Sequence, residues 1–327
     1  MKKIIPLLVS ATILAAIYSA IDIVQLLGAL AQSNWLALVF ALTMVVPLTL
    51  LTAWRLAQLT PKPRTLGLGE ATRLTLAASV LNMVLPSKMG DLAKACFMRE
   101  RCDVSGGLVF TLVIFEKTLD TLALLAWCVL GLSIIRDQSF FIGYALVIVG
   151  AGLLAGVMII GSLRTAAWVF AQAGRFTRGR SAALIQQLDT AWVEMHDYLW
   201  RDRRKLLLLS VVSLVLWLLH LLQIWFFVLA LNAWTPFMVN LALAPLAILA
   251  CLMPLTFAGV GTRDAALILF YQPYLSASTA AALGLLCTLR YALPALAGLP
   301  FFYRYLVMLR SLRKANFQSS PNEDEQC

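Results

Sequence analysis

Long uninterrupted apolar runs alternate along the chain with short polar connections. They show neither the period of two of a half-buried strand nor the one-sided stripe of a surface helix. Runs at about 34–57, 106–134, 140–161, 206–231 and 277–303 are each long enough to cross a hydrocarbon core of about 30 Å as a helix. Ahead of them, Met1-Lys2-Lys3 and the apolar stretch Ile4 to Ala20 have the basic end and small-residue exit of a signal peptide. The many spans that follow favour an uncleaved first helix instead. The pattern predicts an all-α, polytopic membrane bundle with about six full spans.

Two further apolar stretches are interrupted. One runs from about Ala71 to Met98 and is broken at Leu85-Pro86-Ser87-Lys88-Met89-Gly90-Asp91; the other runs from about Pro236 to Tyr271 and is broken between Met253 and Asp264. Pro86 and Pro254 each remove a backbone donor, and Gly90, Gly259 and Gly261 permit turns, so both stretches are expected to be broken helices. With six full spans and both ends of the chain on one side, each broken segment must return to its side of entry. The first then enters from the cytoplasm and the second from outside, as in an inverted-repeat transporter. The alternative is that the second segment crosses fully and 276–309 forms two short spans.

Charge sets the orientation. Lys and Arg concentrate in 55–101 (Arg55, Lys62, Arg64, Arg73, Lys88, Lys94, Arg99, Arg101) and again in 162–205, whereas 21–33 and 232–235 carry none. The positive-inside rule places both termini in the cytoplasm, and the membrane expected is a plasma membrane. The organisation expected is one transmembrane domain over 1–314, with halves of about 1–161 and 206–314. A cytoplasmic segment, 162–205, joins them. Within it Leu184, Leu188, Ala191, Trp192, Met195 and Leu199 form a helical stripe expected to lie flat on the leaflet. The polar tail 315–327 is expected to be disordered.

Composition agrees with this: 61% of residues are hydrophobic and 13% charged, against about 25% charged in soluble domains. The net charge of +10 then reads as loops against anionic lipid headgroups, and no nucleic-acid partner is expected. Six cysteines without a CxxC pair, and only two histidines, His196 and His220, imply no disulfide, no metal site and no cofactor. His196 is expected to play an ordinary surface role. Gly259-Val-Gly261 has no preceding strand, so it is not a nucleotide loop, and no DxD, HExxH or Ser-His-Asp arrangement supports a named catalytic chemistry.

Ionisable residues within spans are costly and mark function by default. Glu116, Lys117 and Asp120 lie about ten residues into the run that begins near Gly106, with Glu116 and Asp120 on one helix face; Arg290 lies near the middle of the last run. Two adjacent carboxylates in low dielectric cannot both ionise cheaply without a cation nearby, and Lys117 is placed to partner Asp120. With the break residues, the buried inventory becomes Lys88, Lys94, Lys117, Arg263 and Arg290 against Asp91, Glu116, Asp120 and Asp264. Five against four leaves one positive charge, which together with the half-helix N-termini offers a place for a phosphate. The competing reading is that these charges pair with one another and only fix helix packing.

The same residues resemble a known family. Asn82-Met-Val-Leu-Pro86-Ser-Lys-Met-Gly90-Asp91-Leu-Ala-Lys94 resembles the N-x-x-L-P-x-x-x-G-(D/E)-x-x-R stretch of the lysylphosphatidylglycerol synthase transmembrane family. Glu116-Lys-Thr-Leu-Asp120 resembles its E-R-x-x-D, Pro254 to Asp264 its P-x-x-x-G-G-x-G-x-R-E, and Arg290 also matches. Departures are Lys at 94 and 117, Asp at 264 and Ala258; lysine lacks arginine's bidentate contacts, so substrate preference can differ.

The resemblance implies a lipid flippase-like translocator with membrane lipids, and in some pathways lipid-biosynthesis enzymes, as partners. In some members this membrane part is fused to a soluble aminoacyl transferase domain. No such domain is expected here, so the chain should not itself make lysyl-lipid. On this reading Asn82 is part of the substrate site, and Lys88, Lys94, Arg263 and Arg290 bind phosphate. Asp91 and Asp264 orient those cations or take an amino headgroup, and Glu116 and Asp120 carry a coupling proton. A membrane-embedded transferase or accessory subunit on a lipid-linked substrate, with Glu116 or Asp120 as base, and a small-solute permease are the rival expectations.

Overall fold

The computed structural model describes residues 22–61, 66–84, 90–102, 106–135, 140–175, 180–252 and 261–318, and every regular element among them is helical. In chain order these are α1 (Ile23–Ala31), α2 (Trp35–Thr43), α3 (Val45–Leu59), α4 (Leu68–Val84), α5 (Gly90–Cys102), α6 (Gly106–Ile134) and α7 (Phe140–Gly161). Then follow α8 (Leu163–Arg175), α9 (Arg180–Trp200), α10 (Arg203–Ala230), α11 (Phe237–Leu252), α12 (Thr262–Tyr271) and α13 (Ala277–Gln318). The first apolar stretch, the break residues Pro86, Lys88, Pro254 and Gly259, and the tail from 319 lie outside the described residues. Helix α13 continues through Gln318, past the point at which the sequence predicts disorder.

Four stretches among the described residues are long and apolar enough to cross a membrane: Trp35–Leu59, Ile142–Gly161, Arg203–Ala230 and Ala277–Tyr303. Helix α6 has the length, at 29 residues, but carries its charges mid-span. Large apolar side chains stand exposed all along α7, among them Val147, Ile148, Leu154 and Met158, as they do where the solvent is lipid. The ends are capped by short polar side chains. Asp22 accepts from the amides of Val24 and Gln25 at 2.9 and 3.2 Å, and Asn34 from those of Leu36 and Ala37 at 3.1 and 3.2 Å.

Both broken segments fold back as antiparallel hairpins. In the first, Gly90 at the start of α5 lies against Ala78, Leu81 and Asn82 near the end of α4, so closely that a Cβ there would sit 2.5 Å from the Ala78 carbonyl oxygen. Further along α5, Ala95, Phe97 and Met98 share a core with Leu66, Ala71 and Leu74 at the start of α4. In the second, the Tyr271 hydroxyl at the end of α12 donates to Asn240 Oδ1 at the start of α11, at 2.7 Å. The segment 277–303 is one continuous helix despite Pro294 and Pro300. The alternative of a full crossing followed by two short spans is therefore overturned.

The hairpins point in opposite directions. Arg73, near the start of α4, lies 5.8 Å from the Phe301 ring centre late in α13, while the start of α11 shares a core with Ala280 and Leu283 early in α13. Helix α6 shows the reverse order: Val109 and Val113 pack with the first hairpin, and Gly131 meets Leu241 and Ala242 of the second. Each hairpin thus packs on the helix that follows the other. Lipid tails are as apolar as leucine, so such helices associate through close packing at small residues. Gly131 and Gly298 serve this purpose, the latter against the backbone of Leu76.

The connection 162–205 forms two helices, α8 and α9. The stripe Ala191, Trp192, Met195 and Leu199 of α9 is buried against Leu59 of α3 and Leu108, Leu112 and Phe115 of α6. The expectation that this stripe spreads on the leaflet is thus corrected. The ends of α3 and α6 offer an apolar surface that the stripe seals, and the Thr111 hydroxyl donates to the Ala191 carbonyl at 3.1 Å. Among the described cysteines Cys128, Cys251 and Cys287 are free thiols.

Candidate functional site

The first hairpin and α6 assemble a six-charge network. Asp91, one residue into α5, bridges two lysines, with Oδ1 2.8 Å from Lys94 and Oδ2 2.8 Å from Lys117. Lys94, one turn later on the same face, also approaches Glu116 at 3.7 Å, and Lys117 approaches Asp120 at 3.5 Å. These residues meet because the reversal at Gly90 lays the first turn of α5 beside the middle of α6.

Arg55 completes this network. It sits on α3, 1% exposed, and its Nη2 lies 3.0 Å from both Glu116 Oε1 and Asp120 Oδ2. Its Nη1 bonds Asp120 Oδ1 and, at 2.8 Å, the Ser213 hydroxyl of α10. Three cations and three carboxylates therefore balance. Charges this deep are tolerable only when paired and hydrogen-bonded. Arg55 was expected only as one of the basic residues of a cytoplasmic loop. The available signal was an arginine at the edge of an apolar run facing two carboxylates that lacked a sufficient partner.

The second hairpin builds a smaller set. Gly261, with φ of 99°, makes a turn that only glycine adopts without strain, and it starts α12. Its amide donates to Asp264 Oδ2 at 3.2 Å, so the α12 N-terminus already holds a carboxylate of its own chain. Arg263 donates to Asp264 Oδ1 at 2.8 Å, to the Gly284 carbonyl at 3.0 Å and to the Thr288 hydroxyl at 2.6 Å.

Arg290 stands apart. It is 3% exposed, and its bonds among the described residues go to neutral oxygens, the His220 carbonyl at 3.3 Å and the Tyr291 hydroxyl at 2.7 Å. No carboxylate among the described residues pairs with it, and its Nε has no partner. Among the described charges of the two sets, Arg290 is the cation left without a carboxylate.

One cavity of about 200 Å³ joins the two sets. Arg55, Asp91, Lys94, Lys117 and Asp120 of the first set line it together with Arg263 and Arg290, and so does Asn82 of α4. Of the expected site residues, Glu116 and Asp264 stand behind the lining and hold its cations, while Lys88 lies outside the described residues. Gly90 packs against the α4 backbone and Gly261 takes a positive φ. No cluster of metal-binding side chains occurs among the described residues.

Arg55 lies between Glu116 and Asp120, the two carboxylates expected to carry a proton, and pairs with both. Residues 3–298 match the model of the family described as lysylphosphatidylglycerol synthase TM region. No curated protein matches the chain.

Proposed function

The chain belongs to the lysylphosphatidylglycerol synthase TM region family, a multi-pass membrane family linked to lipid handling, and from that premise we propose that it moves a lipid headgroup between leaflets. The observation that carries the reading is Arg290: a buried guanidinium on a cavity wall, with neutral partners among the described residues, where two hairpins of opposite direction meet. A phosphate entering there supplies the missing counter-charge, with Arg263, Lys94 and Lys117 close by on the lining. Acyl chains stay in lipid while the headgroup occupies the cavity. Pairing inside each charge set allows the unliganded protein to exist, so the fixed pairs and the binding cation divide the structural and functional roles between them.

The basic connections 55–101 and 162–205 support a bacterial inner membrane with both termini cytoplasmic. Cysteine labelling from either side tests that orientation. The rival transferase reading needs Glu116 or Asp120 as a base, yet Glu116 is fully buried and both are held by Arg55.

Leaflet exchange of labelled phospholipids in proteoliposomes tests the proposal. Exchange in the wild type that disappears in well-folded Arg290→Gln is the expected result. Folded wild-type protein that exchanges no lipid, or produces a chemically altered one, sinks it.

A further inference from the structure

The connection between α7 and α10 buries the stripe of α9 on α3 and α6 and leaves one face of α8 open. From that face we infer that α8 is the helix by which the connection docks on an anionic bilayer surface. Position comes first. Helix α7 contains a span, and its last turn closes on Ser162, whose amide donates to the Met158 carbonyl at 3.0 Å. The same serine opens α8. Its hydroxyl accepts from the Thr165 amide at 3.4 Å and its carbonyl from the Ala166 amide at 3.1 Å. A cap so placed ends one helix and starts the next without a linker, so α8 begins at the level where the span leaves the lipid.

The two faces of α8 differ. Ala166 and Phe170, one turn apart, turn inward to the core that α9 shares with α3 and α6, and the Phe170 ring meets that of buried Trp192 edge-on at 6.0 Å. The opposite face carries Arg164, Ala167, Trp168, Ala171 and Arg175 at helical spacing. All five are exposed, Trp168 by 62%. A guanidinium at each end with an indole between them fits a headgroup layer. The arginines meet phosphates, and the amphipathic indole rests at the boundary between headgroups and acyl chains.

Charge selects both the helix and the lipid. No residue of α8 is acidic, and among the described residues no carboxylate pairs with Arg164 or Arg175. Arg175 donates to the side-chain oxygen of Gln172 on its own helix, at 3.2 Å. The exposed side of α9 instead carries Glu194 and Asp197, which an anionic surface repels. Arg201, Arg203 and Arg204 stand exposed where α9 passes into α10, at the entry of the next span, and extend the positive rim. Asp202 among them caps α10, accepting from the Lys205 amide at 3.1 Å. Near an anionic leaflet each arginine is worth about fivefold in binding, and salt screens that attraction. A zwitterionic surface accommodates the indole and does little for the arginines, so docking depends on lipid charge. Seating α8 also steadies α9, to which it is joined through Ala166, Phe170 and Trp192, over the ends of α3 and α6.

The test needs no lipid exchange, so a protein that exchanges no lipid can pass it and one that does can fail it. Full-length protein is reconstituted in vesicles of phosphatidylcholine alone and of phosphatidylcholine with phosphatidylglycerol, each doped with a lipid brominated high in its acyl chains. Subtracting the tryptophan fluorescence of Trp168→Phe from that of the wild type isolates one indole. Bromine is expected to quench it about twofold or more strongly in the anionic vesicles, and high salt to remove the excess. Arg164→Gln combined with Arg175→Gln brings the two vesicles together, whereas the corresponding lysine pair keeps most of the difference. Amide hydrogen exchange along α9 is expected to slow in the anionic vesicles for the wild type and not for the glutamine pair. An indole reached by acrylamide from water and untouched by bromine overturns the docking. Quenching indifferent to lipid charge overturns the choice of an anionic surface, and α9 exchange indifferent to it overturns the steadying of α9.

Discussion

Arg55 of α3 holds Asp120 of α6 with both of its terminal nitrogens, across 65 positions of sequence. The same guanidinium reaches Glu116 and the Ser213 hydroxyl of α10, so a single side chain ties three helices together. Arg55→Leu leaves Glu116 with Lys94 at 3.7 Å and Asp120 with Lys117 at 3.5 Å. Breaking a buried pair from one side typically costs about 3–5 kcal/mol. The expected outcome is a sharp loss of monodisperse protein and a lower unfolding temperature in detergent. Arg55→Lys keeps the charge without the planar fork and should fall between. Wild-type unfolding of Arg55→Leu would show that the network does not hold the helices.

Two arginines on the same cavity should fail in different ways. Arg263 has a dedicated carboxylate, Asp264, and Arg290 has none. Arg263→Gln strands Asp264 in a buried site and should destabilise by about 3–5 kcal/mol. Arg290→Gln strands no charge, so its stability change should stay within about 1 kcal/mol while lipid exchange is lost. Unfolding curves and exchange rates measured on both variants separate the roles. Equal destabilisation by the two would refute the division.

A pH response is expected outside the membrane. His196 of α9 stacks on Trp200 at 4.2 Å. Both of its ring nitrogens lack a partner. Desolvation by partial burial holds its pKa below the ordinary 6.5, partly opposed by Asp197. The folded state therefore resists protonation more than the unfolded state does. Its contribution to stability is complete above about pH 6.5 and declines as the pH falls below that value. The unfolding-temperature difference between wild type and His196→Gln should shift in the variant's favour on acidification from pH 7.5 to 5.5. A constant difference would remove the effect.

The sequence exposes most of this architecture because spans are written in runs of one chemistry, and apolar runs such as 206–231 coincide with helices such as α10. The reversals were legible for a related reason. Pro86, Gly90, Pro254 and Gly261 interrupt otherwise good helices, and interruption inside lipid demands a return or a partner. Arg55 was not legible, because an arginine at the end of an apolar run looks the same whether it meets headgroups or folds inward onto Glu116. The fate of the α9 stripe was equally hidden. Amphipathicity states that Trp192 and Met195 need cover, and only the tertiary arrangement says that α3 and α6 provide it.

The reciprocal packing of the hairpins gives a last expectation. Gly298 of α13 sits on α4 so closely that a Cβ would lie 2.2 Å from the Leu76 carbonyl oxygen, and Gly131 of α6 sits on α11 with a Cβ 2.4 Å from the Ala242 amide nitrogen. Each obstruction is backbone, so neither can be relieved by a side-chain rotation. Gly298→Ala and Gly131→Ala should each cost about 1–3 kcal/mol through overpacking, although alanine favours a helix over glycine by about 1 kcal/mol. Gly143 of α7 has nothing within 4 Å of its Cβ position, so Gly143→Ala should match or exceed the wild type in unfolding temperature. Gly298 also lies next to the α4 face that carries Thr75 and Ser79, which line the cavity. Its substitution should therefore alter headgroup binding, whereas Gly131→Ala, on the far side of the second hairpin, should mainly lower stability. Equal tolerance of alanine at all three positions would mean that the helices are not in the close contact that brings the two hairpins to one cavity.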